Sequence, residues 1–402
     1  MTTIWYNPIC LQHRGEDPRF ECPERLEAII SHLEASSLIK KCVVRAGHAA
    51  TDDDILLCHS SEHLSRINSH QFSKDAPQFE YINRVNPVEA TKEQLSKDST
   101  YISQHSMEAS RVSIGSCLEG VDMVLHGLRD GNSPNGFVLC RPPGHHSETN
   151  SAQGFCLFNN IAIAAQYAVN QLKQLFPDNP LKHRVLVFDW DVHHGNGTEE
   201  IFYHSPEVCY VSTHLFGDKR FYPYTGAIES IGSDIGRGYN VNIPFQTVNV
   251  GDSDFLRVID EIIVPIANEF APSVVLVSAG FDIMEGDSVG RLLVSPKGLH
   301  AMTSRLLTGI PCIQGRLLCV LEGGYSHNIL AEGVCGVLQA LLGDPFVPYD
   351  VLVNPDEEQV DLDDSLIGIN PNVAKRVRAS VDETIQKVKT HLSPYWSCFR
   401  DK

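Results

Sequence analysis

The chain has 402 residues, of which 42% are hydrophobic and 20% charged, and this composition is typical of a globular protein with a sizeable core. Its formal net charge of -18 is the opposite of the positive charge typical of a nucleic-acid-binding protein. An acidic surface favours cationic partners, such as lysine-rich protein tails. The twelve cysteines include no C-x-x-C pair, and no apolar run approaches the roughly 20 residues that span a bilayer, so we expect an intracellular, reduced protein without a membrane segment.

The first hundred residues predict helices followed by a loop. Residues 1–65 indicate a helical N-terminal region, with an amphipathic helix from about Pro23 to Leu38 and a short helix capped by Thr51. From about 66 to 100 the pattern is polar and aperiodic, which predicts a long surface loop. A further helix is expected from about Gln104 to Leu128, where small and apolar residues recur at helical spacing.

From residue 136 onward, predicted strands and helices alternate. Short apolar runs predict buried strands at 136–140, 184–189, 208–212, 239–243, 274–278 and 317–321. Helices are expected over 157–175 and 255–268, and a surface helix over about 372–389. This alternation predicts a single α/β domain over 1–402, with a mainly parallel sheet flanked by helices. Polar residues follow the strands at their carboxyl ends, so we expect the active site at that edge of the sheet.

Two strand ends carry residues that suit a divalent metal. Asp191 and His193 leave an extended backbone on the same face, and Asp282 follows the strand at 274–278. Two carboxylates and one imidazole predict a three-ligand catalytic site, open to Zn(II), Fe(II), Co(II) or Mn(II). A binuclear manganese site is the alternative, but it requires another carboxylate where Met284 stands.

The residues Cys10, His13 and Cys22 are candidates for a second metal site. A closed zinc site needs four ligands, and the sequence offers no evident fourth ligand near these three.

A pair of adjacent histidines is suited to proton transfer. His145 and His146 follow a Pro-Pro-Gly turn at a strand end. Asp189 could hold one imidazole protonated by raising its pKa, whereas Asn196 could orient the other without adding charge. Tyr325 follows two glycines and could donate a hydrogen bond to an oxyanion.

Aromatic residues near these positions suggest a narrow channel. Gly154-Phe155 and Phe221-Tyr222 could supply its walls, with ordinary core packing as the alternative.

Five stretches resemble the motifs of the metal-dependent histone deacetylase family, and their form resembles its class II branch. The stretches are Arg141-Pro-Pro-Gly-His-His146, Gly154-Phe-Cys156, Asp189-Trp-Asp-Val-His-His-Gly-Asn-Gly197, Val277-Ser-Ala-Gly-Phe-Asp282 and Glu322-Gly-Gly-Tyr325. The resemblance spans nearly the whole chain. It implies an arginase/deacetylase-like α/β fold and hydrolysis of N-ε-acetyl-lysine in proteins, possible substrates being histone tails.

The resemblance also implies a role for each motif residue. Asp191, His193 and Asp282 would hold Zn(II). His146 would be the general base and then the general acid, and His145, paired with Asp189, its electrostatic partner. Tyr325 would donate to the oxyanion. Phe155 and Tyr222 would flank the lysine stem, Gly154 would accept a hydrogen bond from its N–H, and Ser99 is a candidate rim contact. Two structural potassium sites are implied, one formed by Asp189, Asp191, His193, Ser212 and Thr213, the other by Phe202, Ser205, Val208 and Tyr239.

The same resemblance leaves the substrate open. Polyamine-selective relatives place a glutamate near the channel mouth, where Val289 aligns, and this apolar residue argues against a cationic polyamine. Some class II members carry histidine where Tyr325 stands and are poor catalysts, so the tyrosine favours real activity. The alternatives are an acetylpolyamine or other small-amide amidohydrolase and a low-activity acetyl-lysine-binding scaffold. A corepressor-type protein complex and a location in the nucleus, the cytoplasm or both are further expectations.

Overall fold

An eight-stranded sheet with all strands parallel forms the centre of the fold. The computed structural model describes residues 2–15, 20–70, 79–81, 100–130, 134–353 and 371–400, with the backbone alone at 79–81 and 129–130. The strands of the described residues are β1 (Thr2–Tyr6), β2 (Val43–Arg45), β3 (Phe79–Tyr81), β4 (Tyr101–Ser103), β5 (Asn135–Leu139), β6 (Val185–Asp189), β7 (Val208–Leu215), β8 (Asn240–Phe245), β9 (Val274–Ala279) and β10 (Leu317–Leu321). The sheet order is β2-β1-β5-β10-β9-β6-β7-β8, and β3 pairs separately with β4 in an antiparallel ribbon.

Helices flank this sheet. In the described residues they are α1 (Glu24–Ala35), α2 (Asp52–Ile55), α3 (Ser61–Asn68), α4 (Ser106–Asp130), α5 (Asn160–Leu175), α6 (Asn196–Phe202), α7 (Asp252–Val258), α8 (Val264–Phe270), α9 (Pro296–Gly309), α10 (His327–Leu342), α11 (Tyr349–Val353) and α12 (Pro371–Leu392). None of them combines the length and the apolar character needed to cross a bilayer.

Two apolar cores cover the opposite faces of the sheet. Along β6, Leu186 and Phe188 belong to one core, whereas Val185 and Val187 belong to the other. This alternation follows from the two-residue period of a strand. Because both faces are buried, the central strands are continuous apolar runs, which is the pattern that made them visible in the sequence.

The predicted α/β architecture is confirmed, and all six strands predicted from residue 136 onward are present within one or two residues of their predicted starts. The helix expected over 255–268 is interrupted by a π-helical turn at Ile259–Ile263, just before Pro265. Proline has no N–H to donate to the preceding turn, which explains the irregularity there.

The prediction of a helical region over 1–65 is wrong in part, although the two helices named there are present as α1 and as α2 with Thr51 at its N-cap. Thr2–Tyr6 is a strand paired with both β2 and β5, and Val43–Arg45 is an edge strand. The predicted surface loop over about 66–100 is also wrong in part, because α3 continues to Asn68 and 79–81 pairs with β4. The remaining loop residues, 71–78 and 82–99, lie outside the described part of the chain.

Candidate active site

Three buried side chains come together at the carboxyl edge of the sheet. Asp191 and His193 follow β6, and Asp282 follows the adjacent strand β9. One ligand atom from each lies within 4.8 Å of the other two, and no other group of three His, Cys, Asp or Glu residues meets this condition in the described ranges. His193 Nδ1 lies 2.9 Å from Asp191 Oδ1 and 3.2 Å from Asp282 Oδ2.

Backbone amides orient the two carboxylates of this group. Val192 N donates to Asp282 Oδ1 at 2.9 Å, and Gly323 N donates to Asp191 Oδ2 at 2.9 Å. A Cβ at Gly323 would overlap carboxylate oxygens of both aspartates. Glycine is therefore required at position 323 for the loop after β10 to approach so closely.

The residues of this group fit a divalent cation. Asp282 Oδ2 is buried and accepts no hydrogen bond from any residue that the structure describes. Burial and the neighbouring Asp191 raise the pKa of Asp282. A cation would relieve both the lost hydration and the repulsion between the carboxylates. The set of two carboxylates and one imidazole suits zinc and other first-row divalent metals.

His145 is held in its protonated form by carboxylates. Its Nδ1 lies 3.0 Å from Asp189 Oδ2, and its Nε2 lies 3.8 Å from Asp191 Oδ1. Burial opposes protonation, but Asp189 and Asp191 outweigh it and raise the pKa of His145 to about 10. Tyr210 also donates to Asp189 Oδ2 at 2.9 Å, so this carboxylate is fixed from two sides.

His146 has an uncharged partner instead. Its Nδ1 donates to Asn196 Oδ1 at 2.8 Å, and Asn196 Nδ2 in turn donates to Glu148 Oε1 at 2.9 Å. Burial, together with the nearby His145 and His193, lowers the pKa of His146 well below its usual value. The donated Nδ1 proton leaves Nε2 free of a proton and able to accept one.

Tyr325 is buried on a loop that a carboxylate holds. Its amide donates to Asp287 Oδ2 at 2.7 Å, and the amide of Val289 donates to Asp287 Oδ1 at 2.8 Å. The guanidinium of Arg25 lies 5.4 Å from the centre of the Tyr325 ring. These contacts fix the loop that presents the phenol to the site.

Aromatic rings lie close to several residues of the site. The Phe155 ring lies 6.0 Å from Tyr325, and Phe20 lies 6.4 Å from Phe155 and 6.1 Å from Tyr325. Phe221 stacks on His193 at 5.2 Å, and Tyr222 lies 5.1 Å from His146. The structure therefore places aromatic rings next to Tyr325, His193 and His146, and Phe20 is an aromatic neighbour of Tyr325 that the sequence analysis missed.

Comparison with known proteins decides the family. A family model described as the histone deacetylase domain matches residues 19–341. The chain belongs to the histone deacetylase family. It is 36% identical to polyamine deacetylase HDAC10 of Homo sapiens, over 99% of this chain and 51% of that protein. It is 34% identical to histone deacetylase HDA1 of Saccharomyces cerevisiae, over 96% of this chain and 50% of that protein. These relatives agree with the predicted class II branch.

A solved structure supports the same assignment. The crystal structure of the HDA15 HD domain matches 99% of this chain and 96% of its own chain, with a TM-score of 0.78 at 30% sequence identity. The chain spans about half the length of the curated relatives it matches, as with HDAC10 of Mus musculus, of which it covers 51%.

In this histone deacetylase fold, Glu322 is a buried residue to which the sequence analysis gave no role. Its Oε2 accepts from the amides of Gly144 and His145 at 2.7 and 3.2 Å, and its Oε1 accepts from Ser278 Oγ at 3.1 Å. Burial raises the pKa of Glu322 to about 7. The carboxylate fixes the backbone of the histidine turn. Its signals in the sequence were its position directly after a buried strand and its place in the Glu322-Gly-Gly-Tyr325 stretch, and neither indicated this role.

The residues predicted to hold potassium lie near one another in two places. Asp189 and Ser212 are register partners in β6 and β7, and Thr213 Oγ1 donates to the Asp189 carbonyl oxygen at 3.3 Å. The second set lies around the end of α6 and the starts of β7 and β8, and it comprises Phe202, Ser205, Val208 and Tyr239. Their use by an ion stays a prediction.

The remaining site predictions have different outcomes. Cys10, His13 and Cys22 do not form a ligand group, because His13 and Cys22 have other partners: His13 Nδ1 lies 2.6 Å from Ser106 Oγ, and Cys22 Sγ lies 3.4 Å from His327 Nε2.

Ser99 lies outside the described residues. Two other predicted channel residues, Gly154 and Val289, are within the described part. Gly154 is packed against the ring of His146, and Val289 is half-buried beside the Tyr325 loop.

Proposed function

We propose that this chain is a zinc-dependent deacetylase that hydrolyses N-ε-acetyl-lysine side chains of proteins to lysine and acetate. The observation that carries the proposal is the joint placement of one three-ligand metal group, two histidines with opposite pKa shifts and a retained tyrosine. Family membership supplies the reaction class, whereas the metal and the protein substrate are part of the proposal.

The side chains divide the chemistry of amide hydrolysis. Zinc held by Asp191, His193 and Asp282 would supply Lewis acidity toward the amide carbonyl and the attacking water. His146 is neutral, so it takes the proton of that water at Nε2 and later delivers it to the leaving amine. His145 keeps its proton and stabilises negative charge. Tyr325 donates its hydroxyl proton in a hydrogen bond to the developing oxyanion.

A protein lysine side chain fits the surroundings of the site. The Phe155 ring lies 6.0 Å from that of Tyr325, and the Tyr222 ring lies 5.1 Å from that of His146. Aromatic rings next to these residues suit the apolar four-carbon stem of a lysine side chain. Gly154, with φ of +55°, packs so closely against His146 that a Cβ there would overlap the imidazole, and we expect its carbonyl oxygen to accept a hydrogen bond from the substrate N–H.

Acetylpolyamines are the second candidate substrate. The observation in their favour is similarity to polyamine deacetylase HDAC10 of three vertebrates, at 33%, 36% and 32% identity over almost the whole chain. A polyamine carries further cationic amines, which a carboxylate at the channel mouth would attract. Val289 and Phe20 offer no such charge, so we rank protein substrates first. The retained Tyr325 argues against a binding scaffold without turnover.

Hydrolysis of matched substrates tests the proposal. Purified protein is assayed on an acetyl-lysine peptide and on N-acetylated polyamines, before and after treatment with a chelator, and then after addition of zinc. We expect peptide hydrolysis to be lost with the metal and restored by zinc, and kcat/KM to favour the peptide. A higher kcat/KM for the acetylpolyamine than for the peptide would make acetylpolyamines the first-ranked substrates. Peptide hydrolysis that persists in metal-free protein would contradict the metal requirement.

The same proposal includes further expectations from family resemblance. Two potassium ions would occupy the two sets of residues described above, and the protein would work inside the cell on acetylated proteins, histone tails among them, within a corepressor-type complex. All twelve cysteines are free thiols, which agrees with a reducing compartment.

A further inference from the structure

A buried carboxylate outside the candidate active site links two loops. One loop carries His145 and His146, and the other carries Tyr325. Glu21 is 2% exposed and lies just before α1. Its carboxylate is shared by two guanidinium groups, from Arg141 and Arg25, whose side chains are fully buried. Burial alone would raise the pKa of Glu21, but the neighbouring Arg141 and His13 lower it, so the carboxylate is charged.

Arg141 ties Glu21 to the loop of the two histidines. Its Nε and Nη2 both donate to the Glu21 carboxylate, the second at 2.8 Å, which is the bidentate geometry of a strong ion pair. Its Nη1 donates to the Cys10 carbonyl oxygen at 2.9 Å. Arg141 precedes His145 by only four residues, so the position of this guanidinium sets where the histidine turn begins.

Arg25 ties the same carboxylate to the loop of the tyrosine. Its Nη1 lies 3.3 Å from Glu21 Oε1, while its Nε donates to the Gly324 carbonyl oxygen at 2.6 Å and its Nη2 to that of Glu322. Gly324 directly precedes Tyr325. The two carbonyl oxygens would otherwise be buried without a cationic donor, and their capture fixes the backbone from which Tyr325 leaves.

A phenol completes the arrangement around Glu21. Tyr101 donates to Glu21 Oε2 at 3.1 Å and accepts from Arg141 Nη2 at 3.1 Å. Its ring stacks on His13 at 4.3 Å with an interplanar angle of 8°. Tyr101 therefore supports the Glu21–Arg141 pair, and its hydroxyl reaches the histidine loop through the side chain of Arg141.

We infer that Glu21 is a positioning residue that fixes the distance between the histidine turn and Tyr325 by holding Arg141 and Arg25 on one carboxylate. It contacts no substrate and transfers no proton. Removal of its charge would leave two buried guanidinium groups without their common anion, and their repulsion would displace both loops. The inference rests on the proposed function for its effect on turnover, but its effect on the two loops stands independently of any substrate.

Hydrogen exchange and kinetics of Glu21→Gln test the inference. We expect amide exchange to become about tenfold faster or more in both 141–146 and 322–326, with no change in α12. With the acetyl-lysine peptide, kcat should fall about tenfold or more while KM and zinc content stay near their original values, because misplacement acts on the transition state. Glu21→Asp keeps the charge and should recover part of both effects. Glu27→Gln, on the exposed face of α1, is the matched control.

Each outcome decides the inference. Faster exchange in both loops supports it, whereas a change in neither loop, in only one, or evenly through the domain overturns it. If Glu21→Gln does not fold, Tyr101→Phe decides in its place, since it removes only the supporting hydroxyl. A smaller effect in the same two loops is then required. If the wild-type protein does not hydrolyse the peptide, the proposed function fails, yet the exchange measurement still decides the role of Glu21.

Discussion

Acid should destabilise the protein through His63, a buried histidine that is held neutral. Its Nδ1 accepts from Arg66 Nη2 at 2.6 Å, so the ring proton resides on Nε2, which donates to the Leu157 carbonyl oxygen at 2.8 Å. A second proton on Nδ1 would face the guanidinium directly. His59, whose ring lies 5.1 Å away, holds the same loop by accepting from the amide of Asn159 at 2.8 Å. This loop also carries Gly154 and Phe155, which we propose to contact the substrate.

The loss of unfolding free energy on acidification follows from the pKa of His63. Burial, with Arg66 adding to it, lowers this pKa from 6.5 to about 4. Between these two pH values, His63 is protonated in the unfolded chain and neutral in the folded chain. The contribution of His63 is therefore fully present above pH 6.5 and is lost as the pH falls toward 4. At 1.36 kcal/mol per pH unit, the loss is about 3 kcal/mol for this residue alone. The pKa of His59 is lowered by burial to about 3, and this adds a loss of the same sign.

Urea unfolding at several pH values measures this loss. His63→Gln keeps a donor toward Leu157 but does not titrate. Between about pH 7 and pH 4.5, the variant should lose about 2 to 3 kcal/mol less unfolding free energy than the wild type. His204→Gln removes a histidine whose side chain is 68% exposed and should reproduce the wild-type pH dependence. Equal losses for His63→Gln and the wild type would refute the reasoning.

Two further predictions concern the site itself. Tyr325→Phe should lower kcat by about 10²- to 10³-fold with zinc content unchanged, because it removes the oxyanion donor and leaves the ring packed against Phe155. Turnover within threefold of wild type would exclude that role, and the exposed Tyr224→Phe is the control. Phe20→Leu should raise KM for the peptide about threefold or more with kcat preserved, since it removes a ring from the channel wall. An unchanged KM would show that Phe20 does not contact the substrate.

The central strands could be predicted from sequence, but the N-terminal ones could not. Strands such as Val185–Asp189 and Val274–Ala279 are apolar on both faces and end abruptly in polar residues. Thr2–Tyr6 is just as buried, yet two of its residues are threonines, and Thr2 is satisfied by hydrogen bonds to Asn135 and Leu341 far along the chain. Val43–Arg45 is an exposed three-residue edge strand, too short for any period to be recognised.

Some residues of the candidate site could likewise be predicted from the sequence, whereas others could not. Asp191, His193 and Asp282 follow buried strands whose carboxyl ends share one edge of a parallel sheet, so their meeting could be predicted from strand ends alone. Glu21 could not be identified, because its partner Arg141 lies 120 residues away and nothing local distinguishes a buried glutamate from an exposed one. The same holds for Glu322, whose role became visible only once its carboxylate was seen on the amides of the histidine turn.

The opposite protonation of the two histidines has its cause in their partners. His145 and His146 are adjacent, equally buried and part of one turn, so burial lowers the pKa of both. The difference must come from the groups they face. Asp189 brings a negative charge to His145 and raises its pKa, and this charged ring then lowers the pKa of His146. Asn196 orients His146 without countering that effect. The Asp189 carboxylate at the end of β6 and the Asn196 amide at the start of α6 thus leave the two adjacent histidines with opposite pKa shifts.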